Sequence, residues 1–266
     1  MKIHLALPQQ YCSGLGDCLT WAWIAAGAAS PVQFVARGSN QQMLKLFSCE
    51  TTEDSRDASD PSFCYRAELN LGGIRPRVEI WPKILGFNSE PKRPKCIVEG
   101  EWKPIPKRIL IAPQCNFSTR TWPPGYWLDL NWSLIKLGYE VVWIMQNDSP
   151  VFKNRGPAVA HWGQPYSELI TLMRTASLVI ANDSMPAHLA GTLNIPTMAI
   201  LGPTRPSVFA HMTDSVQCLQ SSRVECVGCH FKGPPFRVAC DHACQALNTL
   251  LPSDVVSEVQ KRFANA

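Results

Sequence analysis

Residues 177–206 read SLVIANDSMPAHLAGTLNIPTMAILGPTRP, and this stretch decides the fold. Five apolar or small residues, Ser177 to Ala181, are short enough for a strand buried on both faces of a parallel sheet. Asn182-Asp183-Ser184 stops that strand, and Met185 to Leu193 carries a helix. Pro186 is tolerated only in the first helical turn, where its missing N–H breaks no intrahelical bond, so the helix starts near Asp183 or Ser184. A second apolar strand follows and ends in Gly202-Pro203-Thr204. Strand, helix, strand in this order is the unit of a parallel α/β sheet.

Two readings of the polar turn stand side by side. In one, Asp183 or Ser184 caps the helix and His188 packs in the core. In the other, the turn grips an anion: the helix dipole and first-turn amides favour negative charge. Ser184 and His188 are four residues apart and share a face that leans toward the helix start. The neighbouring strand also ends in a polar turn, with Thr204 and then Arg205, and open parallel sheets bind ligands at such strand ends.

Working outward, Arg108–Pro113 and Tyr139–Met145 read as further strands, with helices over Tyr126–Leu137, over Ser167–Ala176 (capped by Ser167) and over Pro252–Phe263. Upstream, Lys2–Pro8 and Pro31–Arg37 read as strands, and Asp17–Ala29 and Asn40–Phe47 as helices, with another helix around Val78–Leu85. The polar segment Ser48–Pro61 reads as a loop. Asn88–Arg108 is rich in Pro and Lys and reads as a linker. The expected division is a lobe over 1–105, with only two plain strands, and a lobe over 106–266.

With 266 residues, 45% hydrophobic and 17% charged, the chain can bury a sizeable core and is not disordered. A net charge of +4 suits an anionic small substrate without demanding nucleic acid. The longest apolar run, Leu19–Ala29, is too short to span a bilayer, and the amino terminus lacks the pattern of a secretion signal. Eleven cysteines without such a signal point to thiols or metal ligation in a reducing, cytoplasmic setting.

The donor-side motifs are recognisable. Asn182-Asp183-Ser184-Met185-Pro186-Ala187-His188-Leu189-Ala190 is similar to the pattern Asn-Asp-Thr-Gly-Pro-Met-His-Leu-Ala of the ADP-heptose:lipopolysaccharide heptosyltransferases, family nine of the glycosyltransferases. Gly202-Pro203-Thr204-Arg205-Pro206 resembles that family's Gly-Pro-Thr-x-Pro, and Arg120-Thr121-Trp122-Pro123 resembles its Lys-Arg-Trp-Pro. The likeness runs over most of Arg108–Thr204. It implies an α/β GT-B-like fold of two Rossmann-like lobes, the amino-terminal one reduced. It also implies a donor site drawing on Gly14, Gly16, Arg120, Asp183, Ser184, Met185, His188 and Thr204. Two departures stand out. Met185 replaces a glycine that lets backbone approach phosphate closely. Arg120 replaces a lysine and brings a bidentate fork.

In the first lobe, Ser13-Gly14-Leu15-Gly16-Asp17 joins strand to helix. Two glycines permit a tight turn, and Asp17 at a helix start reads on its own as a cap. In the family, a Gly-Asp at this loop supplies the carboxylate that faces the acceptor hydroxyl, and the resemblance implies that role for Asp17. A hydroxyl is a poor nucleophile until a base takes its proton. Charge developing on the nucleoside diphosphate leaving group would fall to Arg120, the amides near Ser184, and His188. No Asp-x-Asp pair marks a catalytic metal.

Cys226, Cys229, Cys240 and Cys244 follow the spacing Cys-x2-Cys-x10-Cys-x3-Cys, which can close a tetrahedral thiolate site or represent four buried thiols. General chemistry favours zinc. The segment also resembles the iron-binding finger of bacterial autotransporter heptosyltransferases, so structural zinc and structural iron both stand. Trp122 and Trp127 flank the expected donor loop, where stacking on a ligand competes with core packing. The function expected from the resemblance is inverting transfer of a sugar, heptose from ADP-heptose, to a hydroxyl on lipopolysaccharide, protein or modified DNA. The alternative is a non-catalytic module binding a nucleotide sugar, nucleic acid or protein on a degenerate version of the fold.

Overall fold

The computed structural model describes residues 2–6, 14–52, 76–154, 156, 159–161, 165–229 and 244–264. The chain divides into two compact units, Met1–Gly100 with Ser207–Thr213, and Glu101–Pro206 with Asp214–Ala266.

The first unit carries a parallel three-stranded sheet in the order β1 (Ile3–Ala6), β2 (Val32–Val35), β3 (Glu50–Thr52). β3 lies inside the polar segment expected to be a loop. Three residues of Glu-Thr-Thr give no periodicity to read, and pairing with β2 makes them a strand. Helices α1 (Leu15–Ala26), α2 (Gly38–Leu46) and α3 (Arg77–Ile84) complete the unit. Leu5, Trp21, Ile24, Phe34, Met43 and Trp81 form its buried interior. Trp21 and Trp81 meet with ring centroids 4.8 Å apart, joining α1 to α3.

The second unit is built on six parallel strands, β4 (Arg108–Ala112), β5 (Glu140–Met145), β6 (Val159–His161), β7 (Leu178–Asn182), β8 (Thr197–Ile200) and β9 (Val216–Leu219). Their spatial order is β6-β5-β4-β7-β8-β9. The chain therefore works outward from β4 in one direction, returns beside β4, and works outward in the other. That reversal between β4 and β7 opens a crevice at the carboxyl ends of the two strands. β7 and β8 are buried at every residue, as strands covered on both faces must be.

Most covering helices bury one face, and the one over Met185–Thr192 is the exception. In α4 (Pro124–Lys136), Trp127, Leu130, Asn131 and Leu134 recur at helical spacing and face the core. The helix begins at Pro124, two residues before the sequence boundary, because proline at its first position is preorganised for a helical start. Helix α5 (Tyr166–Met173) starts after Pro165 with no side-chain cap, so Ser167 does not cap it. Helix α6 (Met185–Thr192) is buried throughout. After the short α7 (Gln245–Asn248), α8 (Pro252–Ala264) buries Val255 and Val259 one turn apart and packs on α4. Trp122 and Trp127 are fully buried core residues in edge-to-face contact at 5.1 Å, and the indole N–H of Trp122 donates to the Leu250 carbonyl at 2.8 Å. They are unavailable for stacking on a ligand.

Candidate functional site

The site at the reversal point starts from Asn182, the last residue of β7. Its side-chain amide donates to the Pro113 carbonyl at 2.5 Å, and its side-chain oxygen accepts the Trp122 N–H at 3.1 Å. One fully buried amide thus ties both ends of the loop after β4 to the end of β7, with donor and acceptor both used. Sequence reasoning quoted Asn182 only as part of a motif. Its contacts reach more than 60 residues upstream, and no local signal announces them.

Asp183 comes next and is 2% exposed. Its Oδ2 accepts the Thr204 hydroxyl at 2.6 Å and the Arg120 Nη1 at 3.1 Å. Its Oδ1 stands 3.7 Å from His188 Nε2, beyond ordinary hydrogen-bond reach. Burial alone would push this carboxyl up. The Arg120 guanidinium, His188 and the Thr204 hydroxyl outweigh that and hold it well below the usual carboxylate range. Arg120, Asp183, His188 and Thr204 are therefore one cluster, drawn from the ends of β4, β7 and β8. Asp183 is its organiser, since both carboxylate oxygens face protein groups.

Arg120 closes a short 3-10 turn, Ser118–Arg120, and lies over the Phe117 ring with its Cζ 4.4 Å from the centroid. Its side chain keeps a quarter of its surface exposed. Ser184 is the residue before α6, but its hydroxyl donates to the Asn182 carbonyl at 3.3 Å and caps no helical amide. The capping role open to Asp183 or Ser184 is thereby excluded for Ser184. Met185 and His188 are buried on the first turn of α6.

Two neighbours were missed from the sequence. Cys115 is half-buried and its thiol donates to the Asp183 carbonyl at 3.5 Å; burial pushes it up against the opposing charge of Arg120. Gln114 donates to the Asn147 carbonyl at 3.1 Å and accepts the Gln146 N–H at 2.5 Å, joining the ends of β4 and β5.

In the first unit, Gly14 is the residue before α1, and Asp17 sits in the first helical turn. The cap expected of Asp17 is not made: no side chain caps α1, and Asp17 Oδ1 accepts Arg77 Nη1 at 2.9 Å. Arg77 Cζ lies 5.3 Å from the centroid of Trp81. The Asp17 side chain is 23% exposed. Gly16 lies within the helix beside it. Arg77, 60 residues downstream, carries no sequence feature tying it to Asp17.

Of the four spaced cysteines, Cys226 and Cys229 are partly buried and Cys244 is buried. Cys240 lies outside the described residues. Among the described residues, no three His, Cys, Asp or Glu side chains stand together in a way that could hold a metal ion. The fit to a metal is therefore limited to the chemistry of the thiols and the tight turn between Cys226 and Cys229.

Residues 165–236, which contain α5, β7, α6 and β8, match the model of glycosyltransferase family 9 (heptosyltransferase). Over this segment the chain is similar to the heptosyltransferases. Among solved structures it is similar to the iron-containing dodecameric glycosyltransferase TibC of enterotoxigenic E. coli. That match has 18% identity and a TM-score of 0.71, over 99% of this chain and 76% of that one. It is similar to E. coli heptosyltransferase WaaC with ADP at 13% identity and a TM-score of 0.60, over 100% and 99% of the two chains. A family-nine glycosyl transferase of Veillonella parvula matches at 14% identity and a TM-score of 0.64, over 100% and 97%. No curated protein matches. At these identities the likeness establishes a shared fold of parallel α/β sheets. No helix among the described residues is long and apolar enough to cross a membrane.

Proposed function

We propose that this chain is a glycosyltransferase with the two-lobed GT-B arrangement that moves heptose from ADP-heptose to an acceptor hydroxyl with inversion. The observation that carries the reading is the buried Asp183 cluster at the reversal point of the six-stranded sheet. There it fixes a partly exposed guanidinium beside the start of α6. Support comes from solved relatives: one TibC structure holds ADP-D-beta-D-heptose, and WaaC has been solved with ADP.

In this reading Arg120 and the first turn of α6 take the pyrophosphate and stabilise the charge that develops as the sugar–phosphate bond breaks. His188 and Thr204 act through Asp183, and Met185 narrows the approach where the family has glycine. Asp17, in the first turn of α1 with Gly14 and Gly16 beside it, is the base that takes the acceptor proton, and Arg77 holds its carboxylate in place. The acceptor belongs to lipopolysaccharide, protein or modified DNA. Cys226, Cys229, Cys240 and Cys244 hold structural zinc or iron, iron gaining weight from the iron-containing TibC. The setting is cytoplasmic, in keeping with a nucleotide-sugar donor.

One observation favours the alternative of a non-catalytic module: the carboxylate of Asp17 is already engaged by Arg77. Incubation with ADP-heptose separates the two. The transferase releases ADP, and Asp17→Asn stops release while ADP still binds. A wild-type protein that binds ADP-heptose yet releases no ADP, with or without lipopolysaccharide core, serine peptide or hydroxymethylated DNA, is the module.

A further inference from the structure

We propose that the cysteine segment positions the donor site: the Cys226–Cys229 turn and the chain entering α7 at Cys244 brace the loop Gly202–Arg205. This rests on the donor-site reading above.

The loop leaves β8 and carries Thr204, whose hydroxyl sets Asp183 at 2.6 Å. Residues 202–204 are buried but belong to no helix or strand, so their polar groups must be satisfied from elsewhere. One partner comes from the Cys226–Cys229 turn and another from Gln220, just after β9. The Gly202 carbonyl accepts the Gly228 N–H at 3.0 Å. The Gly228 carbonyl accepts Arg205 Nε at 3.4 Å, and Gln220 donates to the Thr204 carbonyl at 3.1 Å.

The packing is as close as the hydrogen bonding. A Cβ on Gly202 would stand 2.6 Å from Leu247 Cγ and 2.8 Å from Cys244 Sγ, so α7 and its entering cysteine press directly on the loop. Gly228 has φ +68°, and a Cβ there would stand 2.7 Å from Arg205 Cγ. Both glycines are thus required for the fit between the cysteine segments and the donor loop. The path from Gly228 to Gly202, through Thr204 to Asp183 and Arg120, is a continuous run of packed and hydrogen-bonded groups. A displacement of the Cys226–Cys229 turn, from whatever changes at its thiols, moves the groups that hold Arg120.

The test uses the full chain with Gly202→Ala and Gly228→Ala, the second keeping the question answerable if the first does not fold. Hydrogen exchange without ligand is expected to quicken at 203–205 and 183–188 in both variants. ADP affinity by calorimetry is expected to fall about tenfold, since small misplacements of binding groups are costly. Adding Leu247→Ala to Gly202→Ala removes the Leu247 atoms the new methyl would strike, leaving the Cys244 Sγ contact, and is expected to restore part of that affinity, a coupling that general destabilisation does not produce. Exchange changes confined to 226–229 and 244–248, with ADP affinity within about twofold of wild type, overturn the proposal. Wild-type protein that binds no ADP overturns the donor reading instead, and the exchange result still decides whether the brace exists.

Discussion

Asp183 and Asp17 are both carboxylates beside the start of a helix after a parallel strand, yet the chain treats them oppositely. Asp183 is sealed at the reversal point of a six-stranded sheet, with Thr204, Arg120 and His188 around it. Asp17 sits in the first turn of α1, in the unit with the three-stranded sheet, partly exposed, with Arg77 as its ion-pair partner. A buried charge surrounded by partners is strongly held, because removing any partner leaves an uncompensated ion. A partly exposed carboxylate with an ion pair can change partners more cheaply than a sealed one, as the proposed proton acceptor requires. The first organises its neighbours; the second is held by Arg77 and is the carboxylate proposed as the base.

The largest effect is expected where that contrast is broken at its buried end. Asp183→Ala strands Arg120 and Thr204 and should cost about 3–5 kcal/mol of stability in chemical denaturation. The pH dependence has a definite sign. Because the folded carboxyl is held below its unfolded value, its contribution is full above about pH 4 and is lost as pH falls toward the depressed folded value. Wild type should therefore lose stability on that acid limb, and Asp183→Asn should flatten it.

Asp17→Asn should leave stability within about 1 kcal/mol of wild type, as for other partly exposed pairs. It should slow turnover by about 10²–10⁴-fold, the usual worth of a general base. Together the two substitutions sharpen the comparison: on the proposed function, one should weaken the support for binding and the other the chemistry alone. Arg77→Ala should have a smaller effect, lowering kcat about tenfold, with Arg77→Lys recovering part of the loss.

The fold was legible in the sequence where elements are long or punctuated. Pro186 placed the start of α6 to within a residue or two, and the apolar runs of β4, β5, β7 and β8 stood out. The strands β3 and β6 have three residues each, too few for a period to show, and β9 (Val216-Gln217-Cys218-Leu219) is interrupted by a polar residue; all three are completed by pairing with a neighbour. At the site, residue types pointed to Arg120, Asp183, His188 and Thr204, and the structure gathers all four. The sequence could not show that Asp183 turns inward to organise the others, that Asn182 ties down the loop after β4, or that Arg77 pairs with Asp17. These are contacts between residues tens of positions apart, and only the folded chain brings them together.

The smallest expected effect sharpens the reading of α6. Ser184 donates to the Asn182 carbonyl and caps nothing. Ser184→Ala should therefore cost less than the roughly 1 kcal/mol of a lost helix cap, measured by thermal unfolding.

The most direct measurement is ADP affinity by calorimetry for wild type and Arg120→Ala. If Asp183 holds Arg120 in place to receive a pyrophosphate, wild type binds ADP and the variant binds at least about tenfold more weakly, the loss of one charge-assisted phosphate contact. Equal affinity of the two proteins would mean that the cluster at the end of β7 is architecture alone and that the donor binds elsewhere.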